Sequence, residues 1–270
     1  MSIKLVCIDI DDTLLNSQGV LMPTTRTAIT AAMAAGVHVA LCSGRPLAGV
    51  RPFLDQLGMT RDDQYVITFN GAVVESVTST ILDDNPLAAD AYATLVAYAQ
   101  AHGLPLNIVA ADSAIISPDH DVNAVTVMQA AENSAGVLVR SPNELAAEVQ
   151  PIRALFVGNE ALLNDAEDGV RRQFSDQYEI VRSGPLAIEL MAHGVNKGSG
   201  VAHLAAHLHI HPDEIMAMGD EGNDIAMFDY AGLAVAMGNG SDEAKAHADF
   251  VTASNDDDGL ALALQKYVLR

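Results

Sequence analysis

Basic residues are scarce in this chain. Fourteen lysines and arginines stand against 35 aspartates and glutamates over 270 residues, for a formal net charge of −21 at pH 7. Nucleic acid and anionic membrane surfaces are gripped by clustered cations, so neither is expected as a partner. Cysteine is nearly absent: Cys7 and Cys42 are the only two, and both lie in apolar runs. That placement predicts buried reduced thiols and argues against a disulfide scaffold or a cysteine metal site. No apolar run is long enough to span a bilayer. The N-terminal Met1-Ser2-Ile3-Lys4 reaches a carboxylate by Asp9, which leaves no room for the apolar region of a signal peptide. The expectation is a soluble, cytoplasmic monomer or homodimer. Internal repeats and low-complexity tracts are missing as well.

Half of the residues are hydrophobic, and the length suffices for one large or two modest domains with cores of their own. In the first third, strand and helix patterns alternate. Residues 3–9 read as a buried strand, 24–35 as a helix, Val37 to Cys42 as a strand, Pro46 to Leu57 as a helix with proline in its first turn, and Tyr65 to Phe69 as a strand. Such alternation predicts a doubly wound parallel sheet of α/β class. A turn cluster, Asp83-Asp84-Asn85-Pro86, then breaks the pattern. Beyond it come a helix with Tyr92, Leu95, Val96 and Ala99 on one face and short strands separated by helical stretches, as in an α+β insertion. Alternation resumes after Gly194, with a helix from Lys197, the strand Ile215 to Met218, a helix from Asp224 and the strand Leu233 to Ala236. The predicted organisation is a core of residues 1–83 and 191–270 interrupted by an inserted domain of residues 84–190.

The apolar run Lys4 to Ile8 ends in Asp9-Ile10-Asp11-Asp12-Thr13. Two like charges ~4 Å apart repel by roughly 4 kcal/mol at an effective dielectric near 20, so carboxylates crowded at a buried strand end make sense mainly where a divalent cation or a reacting group needs them. In an open parallel sheet, ligands bind at the carboxyl ends of the strands, and polar groups recur at those ends here. Ser43-Gly44-Arg45 follows the second strand, Lys197 opens the helix after the insertion, and Gly219-Asp220-Glu221-Gly222-Asn223-Asp224 follows a later strand. Singly, Ser43-Gly44 reads as a helix cap, Lys197 as a solvated lysine, and Asp220 and Asp224 as complements to a helix dipole. Together at one sheet edge they supply acids for a cation, a hydroxyl and N–H groups for an anion, and one ammonium for developing negative charge.

These four motifs, in this order, resemble those of the haloacid-dehalogenase-like (HAD) superfamily phosphatases over essentially the whole chain. Asn70-Gly71-Ala72, Gly194-Val195-Asn196-Lys197-Gly198 and Val235-Ala236-Met237-Gly238-Asn239 narrow the resemblance to the Cof-type branch and its YidA-like sugar phosphatases. It implies a Rossmann-like core with an inserted cap of the C2 type, placed between the second and third motifs. It also implies a Mg2+-dependent phosphatase acting on a small-molecule phosphate ester, with sugar phosphates foremost, through an aspartyl phosphate. By the same resemblance Asp9 is the nucleophile and Asp11 the general acid and base. Asp9, Asp220 and the backbone carbonyl of Asp11 hold the metal. Ile10, Ser43, Gly44 and Asn223 hold phosphoryl oxygens, Lys197 offsets transition-state charge, and Arg45 and Asn70 are candidates for leaving-group contacts. Asp224 is expected to orient Lys197 or a metal-bound water. Asp12 departs from the pattern, since many relatives have glycine there.

Other readings compete. A phosphosugar mutase or phosphotransferase would use the same groups, and a metabolite sensor would share the scaffold without turnover. A signalling receiver also combines aspartates, a hydroxyl and a lysine, but lacks this D-x-D spacing and an inserted domain. The lysine segment does not carry the G-x-x-x-x-G-K-[ST] spacing of a nucleotide P-loop. His203 and His207, four apart on a helix, read as a solvated face rather than a zinc site.

Overall fold

A computed structural model describes residues 2–146, 149–182 and 184–269. The opening apolar run forms β1 (Leu5–Asp9), buried along its whole length, as a strand covered on both faces must be. Proline in the first turn of α1 (Pro23–Ala34) supplies a helical φ without wasting an N–H. β2 (His38–Cys42), α2 (Leu47–Leu57) and β3 (Tyr65–Thr68) complete the predicted alternation. Two further strands follow, β4 (Val73–Ser76) and β5 (Ile81–Asp84), which the sequence reading did not identify. β4 turns back antiparallel to β3, because Phe69, Asn70 and Gly71 all take left-handed conformations and reverse the chain within three residues.

Next come α3 (Ala91–His102), β6 (Leu106–Ala110), β7 (Ile115–Ser117), α4 (Ala124–Glu132), β8 (Val137–Val139), β9 (Pro151–Val157), α5 (Glu160–Phe174), β10 (Tyr178–Arg182) and β11 (Ala187–Ala192). α6 (Lys197–Leu208), β12 (Ile215–Gly219), α7 (Ile225–Tyr230), β13 (Leu233–Ala236), α8 (Asp242–His247), β14 (Phe250–Val251) and α9 (Gly259–Tyr267) close the chain.

The chain divides into two compact units. One comprises Met1–Gly44, Val50–Asp83 and Asn196–Arg270, and the other Arg45–Gly49 and Asp84–Val195. In the first, the sheet order is β14-β13-β12-β1-β2-β3-β4-β5, parallel from β14 to β3. Strand order reverses at β1, which pairs with β12 on one side and β2 on the other. That reversal is the switch point where an open α/β sheet forms its ligand crevice. Leu5, Cys7, Ala40, Cys42 and Ile67 pack one face of the sheet against Val201, Leu204 and Phe228. Both cysteines are buried and not joined in a disulfide. A hydrogen bond to Cys42, together with burial, pushes the Cys7 thiol well up, so it stays protonated and inert.

The second unit is built on a six-stranded sheet, order β10-β11-β9-β6-β7-β8, antiparallel except where β8 joins β7 in parallel. Tyr92, Leu95, Val96 and Ala99, predicted to share a helix face, pack with Ile108, Phe156, Val170 and Leu190. The unit extends beyond residue 190, because β11 pairs with β10 as far as Ala192. Residues 45–49, the first turn of α2 among them, group with it too.

Two buried carboxylates bear on stability in opposite directions. Glu189 on β11 accepts both oxygens' worth of contact from Arg153 Nη1 on β9, at 3.1 and 3.0 Å, with each side chain under a tenth exposed. Removing one partner strands the other's charge, so Glu189→Ala is expected to lower urea-measured stability by about 3–5 kcal/mol. Glu75 on β4 is buried with one hydrogen bond, from Thr68 Oγ1 at 3.4 Å. Burial pushes its carboxyl up to about 7, against the opposing effects of Thr68 and the Arg51 charge. A carboxyl raised on folding stabilises most below its unfolded pKa, about 4.3, and that stability drains away as pH rises through about 7. Thermal melts should therefore find Glu75→Gln more stable than the parent at pH 8, with the advantage much smaller at pH 5.

Candidate active site

The chemistry-bearing residues of the first unit meet at the carboxyl ends of β1, β2 and β12. After β1 the chain makes one wide turn, Ile10–Leu14, closed by the Leu15 N–H donating to the Ile10 carbonyl at 3.0 Å. Within it Asp12 takes φ +57°, ψ +7°, a left-handed conformation that aspartate tolerates better than most residues. That backbone explains why glycine suits this position and why Asp12 can replace it.

Asp9 is buried, and its Oδ1 accepts from the Lys197 ammonium at 2.5 Å. Lys197, the first residue of α6 and 1% exposed, also donates to Asp224 Oδ1 at 2.6 Å. It is therefore no solvated surface lysine. The other Asp224 oxygen accepts from the N–H groups of Asp220 at 2.9 Å and Glu221 at 3.1 Å. Asp220 in turn accepts from Thr13 Oγ1 at 2.7 Å, which ties the loop after β12 to the turn after β1.

Lys197 is placed by its neighbours. Asn196 caps α6 by accepting from the Ser199 N–H at 2.9 Å. Gly71, at φ +103°, lies where any Cβ would collide with the Asn196 carbonyl, so the Asn70-Gly71-Ala72 turn can press against the helix start. Asn70 donates its N–H to the Ser43 carbonyl at 2.9 Å, and its Oδ1 accepts from Asn223 Nδ2 at 3.3 Å. Its amide also fills the space that a side chain at Gly44 would need. Ser43 is buried, its N–H donating to the Ile67 carbonyl at 2.9 Å. The structure thus brings together Asp9, Lys197, Asp220 and Asp224, and beside one another Ser43, Gly44, Asn70 and Asn223. Arg45 is grouped with the second unit.

Asp9, Asp220 and Asp224 hold carboxylate oxygens within 4.8 Å of one another. The Asp11 side chain is exposed and is not part of this triad; the part expected of Asp11 at the metal falls to its backbone carbonyl, which the triad of carboxylates does not include. Asp224 has both oxygens engaged by protein donors. Asp9 and Asp220 each keep one oxygen without a protein donor among the described residues. Burial pushes the Asp9 carboxyl well up, and Asp224 and Asp220 act in the same sense against Lys197. Burial likewise pushes Asp220 up to about 6, with Thr13 opposing. Crowded acids with open oxygens, hard donors throughout, fit a small divalent cation such as Mg2+, whose charge would reverse both shifts. No signal in the sequence marked Thr13 as the partner of Asp220, since the two are 207 residues apart.

Residues 6–264 match the haloacid dehalogenase-like hydrolase family. A provisionally named phosphatase of Streptococcus pyogenes is 33% identical over 270 residues, covering 100% of both chains. The 5-amino-6-(5-phospho-D-ribitylamino)uracil phosphatase YcsE of Bacillus subtilis is 30% identical over 270 residues, covering 100% of this chain and 97% of its own. Among solved structures, the HAD subclass IIB sugar phosphatase BT4131 superposes with a TM-score of 0.79 at 27% identity, covering 98% of each chain. A family match over nearly the full length, on a site of this construction, settles the matter: the chain belongs to the haloacid dehalogenase-like hydrolases, as a phosphatase of that family.

Proposed function

We propose that this phosphatase hydrolyses small phosphorylated metabolites, sugar phosphates foremost, in the cytoplasm, with Mg2+ as cofactor and Asp9 as the transient carrier of the phosphoryl group. The observation that carries this reading is the ammonium of Lys197 fixed at 2.5 Å from Asp9 and 2.6 Å from Asp224. A carboxylate so held, at a strand end and with one oxygen uncommitted, is aimed as a nucleophile.

Asp9 attacks phosphorus, the ester P–O bond breaks, and Asp11 gives a proton to the departing oxygen. Asp11, exposed and outside the carboxylate triad, is then placed to take a proton from water as that water attacks the aspartyl phosphate. Cleavage of the P–O bond to Asp9 releases orthophosphate and restores both carboxyl groups. Lys197 meets the negative charge that grows on the phosphoryl oxygens. Ser43, with the N–H groups of Ile10 and Gly44 and the Asn223 amide, holds those oxygens in line. Asp224, with both its oxygens engaged, orients Lys197 instead of binding a cation. Asp9, Asp220 and the Asp11 carbonyl would hold Mg2+, which would supply positive charge beyond that of Lys197. Choice among leaving groups is assigned to the second unit and to Arg45, because the groups that grip phosphate all belong to the first. The sugar-phosphate preference rests on the likeness to BT4131.

A phosphate-release screen over sugar and polyol phosphates with Mg2+ tests the assignment, and activity in excess EDTA would overturn the cofactor. Calcium is expected to inhibit, since its longer and looser coordination misplaces Asp9 for in-line attack. The two aspartates of the turn should fail differently. In rapid-quench labelling with p-nitrophenyl phosphate, Asp11→Asn should trap phosphate on Asp9, because this leaving group needs little protonation, while Asp9→Asn should trap none. Label on Asp11 would reverse the roles.

A further inference from the structure

The Met237-Gly238-Asn239 segment, conspicuous in the sequence, has no task in the mechanism above, yet it touches two of the loops that the mechanism uses. Asn239 is exposed, but both ends of its amide are committed. Nδ2 donates to the Asp12 carbonyl at 2.8 Å, and Oδ1 accepts from the Asn255 N–H at 2.9 Å. Asn255 is buried and donates its own Nδ2 to the Leu15 carbonyl at 3.0 Å. The pair therefore grips the turn after β1 at Asp12 and again just beyond its end. The next two residues attach to the other loop. Ser241 donates its N–H to the Asp220 carbonyl at 2.8 Å, and Gly240 lies so near that a Cβ there would meet the same oxygen at 2.8 Å.

What this strap holds is the least relaxed backbone of the turn. Asp12 is left-handed, a conformation open to aspartate but not preferred by it, and the Asn239 contact restrains it at that residue, where the Thr13–Asp220 bond and the Leu15–Ile10 closure do not reach. Asp11 immediately precedes it in the same turn, so a shift of the Asp12 backbone passes through the peptide that joins them to the residue that bears the carboxyl. Asp9 is fixed independently, by Lys197 from another element. Loosening the strap should thus misdirect the acid while leaving the nucleophile in place.

We propose that Asn239, backed by Asn255, is a positioning residue that fixes the left-handed turn at Asp12 and through it the Asp11 carboxyl, setting the proton-transfer step and not the attack by Asp9. The proposal rests on the roles given above to Asp9 and Asp11.

Phosphoenzyme formation in the Mg2+-loaded full chain separates the two steps. Labelled p-nitrophenyl phosphate reports attack with little need of an acid, and labelled glucose 6-phosphate reports attack with protonation of a poor leaving group. Asn239→Ala should slow labelling from glucose 6-phosphate about tenfold or more and change labelling from p-nitrophenyl phosphate less than about twofold. Asn239→Asp keeps an acceptor for the Asn255 N–H but offers no donor to Asp12, so it should behave like the alanine variant even if alanine weakens the fold. In an Asp12→Gly background, where the left-handed turn is unstrained, the effect of Asn239→Ala should shrink. Equal slowing with both substrates, or the same loss in both backgrounds, overturns the proposal. Label formed by Asp9→Asn would instead bring down the catalytic reading itself, and the positioning role with it.

Discussion

Everything in the site is arranged around one buried ammonium. Lys197 is almost fully enclosed, and a buried cation is tolerable only when it is paired and hydrogen-bonded. Two carboxylates meet that demand, Asp9 at the end of β1 and Asp224 in the turn that follows the neighbouring strand β12, far apart in sequence. The demand runs outward from there. Asp224 must bend back to reach the lysine, and in doing so it binds the backbone of Asp220 and Glu221. The helix start must sit deep, which requires the cap at Asn196 and a residue without a side chain at Gly71. Packing, capping and catalytic geometry are one constraint seen at three distances.

The acidic composition makes the same point in reverse. A chain of net charge −21 repels an anionic ester in general, so the sign of the field has to change locally. Burial works against ionisation at Asp9 and Asp220, and Lys197 alone offsets only part of the crowding among three carboxylates. A divalent cation held at the triad would balance the set.

The first unit was largely legible in the sequence because its strands are buried on both faces and separated by helices of 3.6-residue period. β1, β2 and β3 fall where the apolar runs lie, and Asp9, Ser43, Lys197 and Asp220 stand at strand ends or a helix start as predicted. β4 and β5 were not legible. The reversal before β4 depends on left-handed backbone at Phe69 and Asn70, which residue type alone does not announce, and β5 is half aspartate with no buried residue, so its apolar signal is weak. Likewise the run ending near Met191 showed a strand, but not that Ala192 would still be paired in the second unit's sheet.

The sequence by itself determined which chemistry was available and in what order along the chain, because acids at the end of an apolar run and a lysine opening a helix are local patterns. Only the tertiary structure decided how those groups divide the work. That Lys197 reaches both Asp224 and Asp9, that Thr13 is the partner of Asp220, and that Asn239 grips Asp12 are contacts between residues 27 to 227 positions apart. Hydrophobic period fixes where a strand or helix forms. Which side chains meet at its end depends on strand order and register, and those are set by packing of the whole sheet.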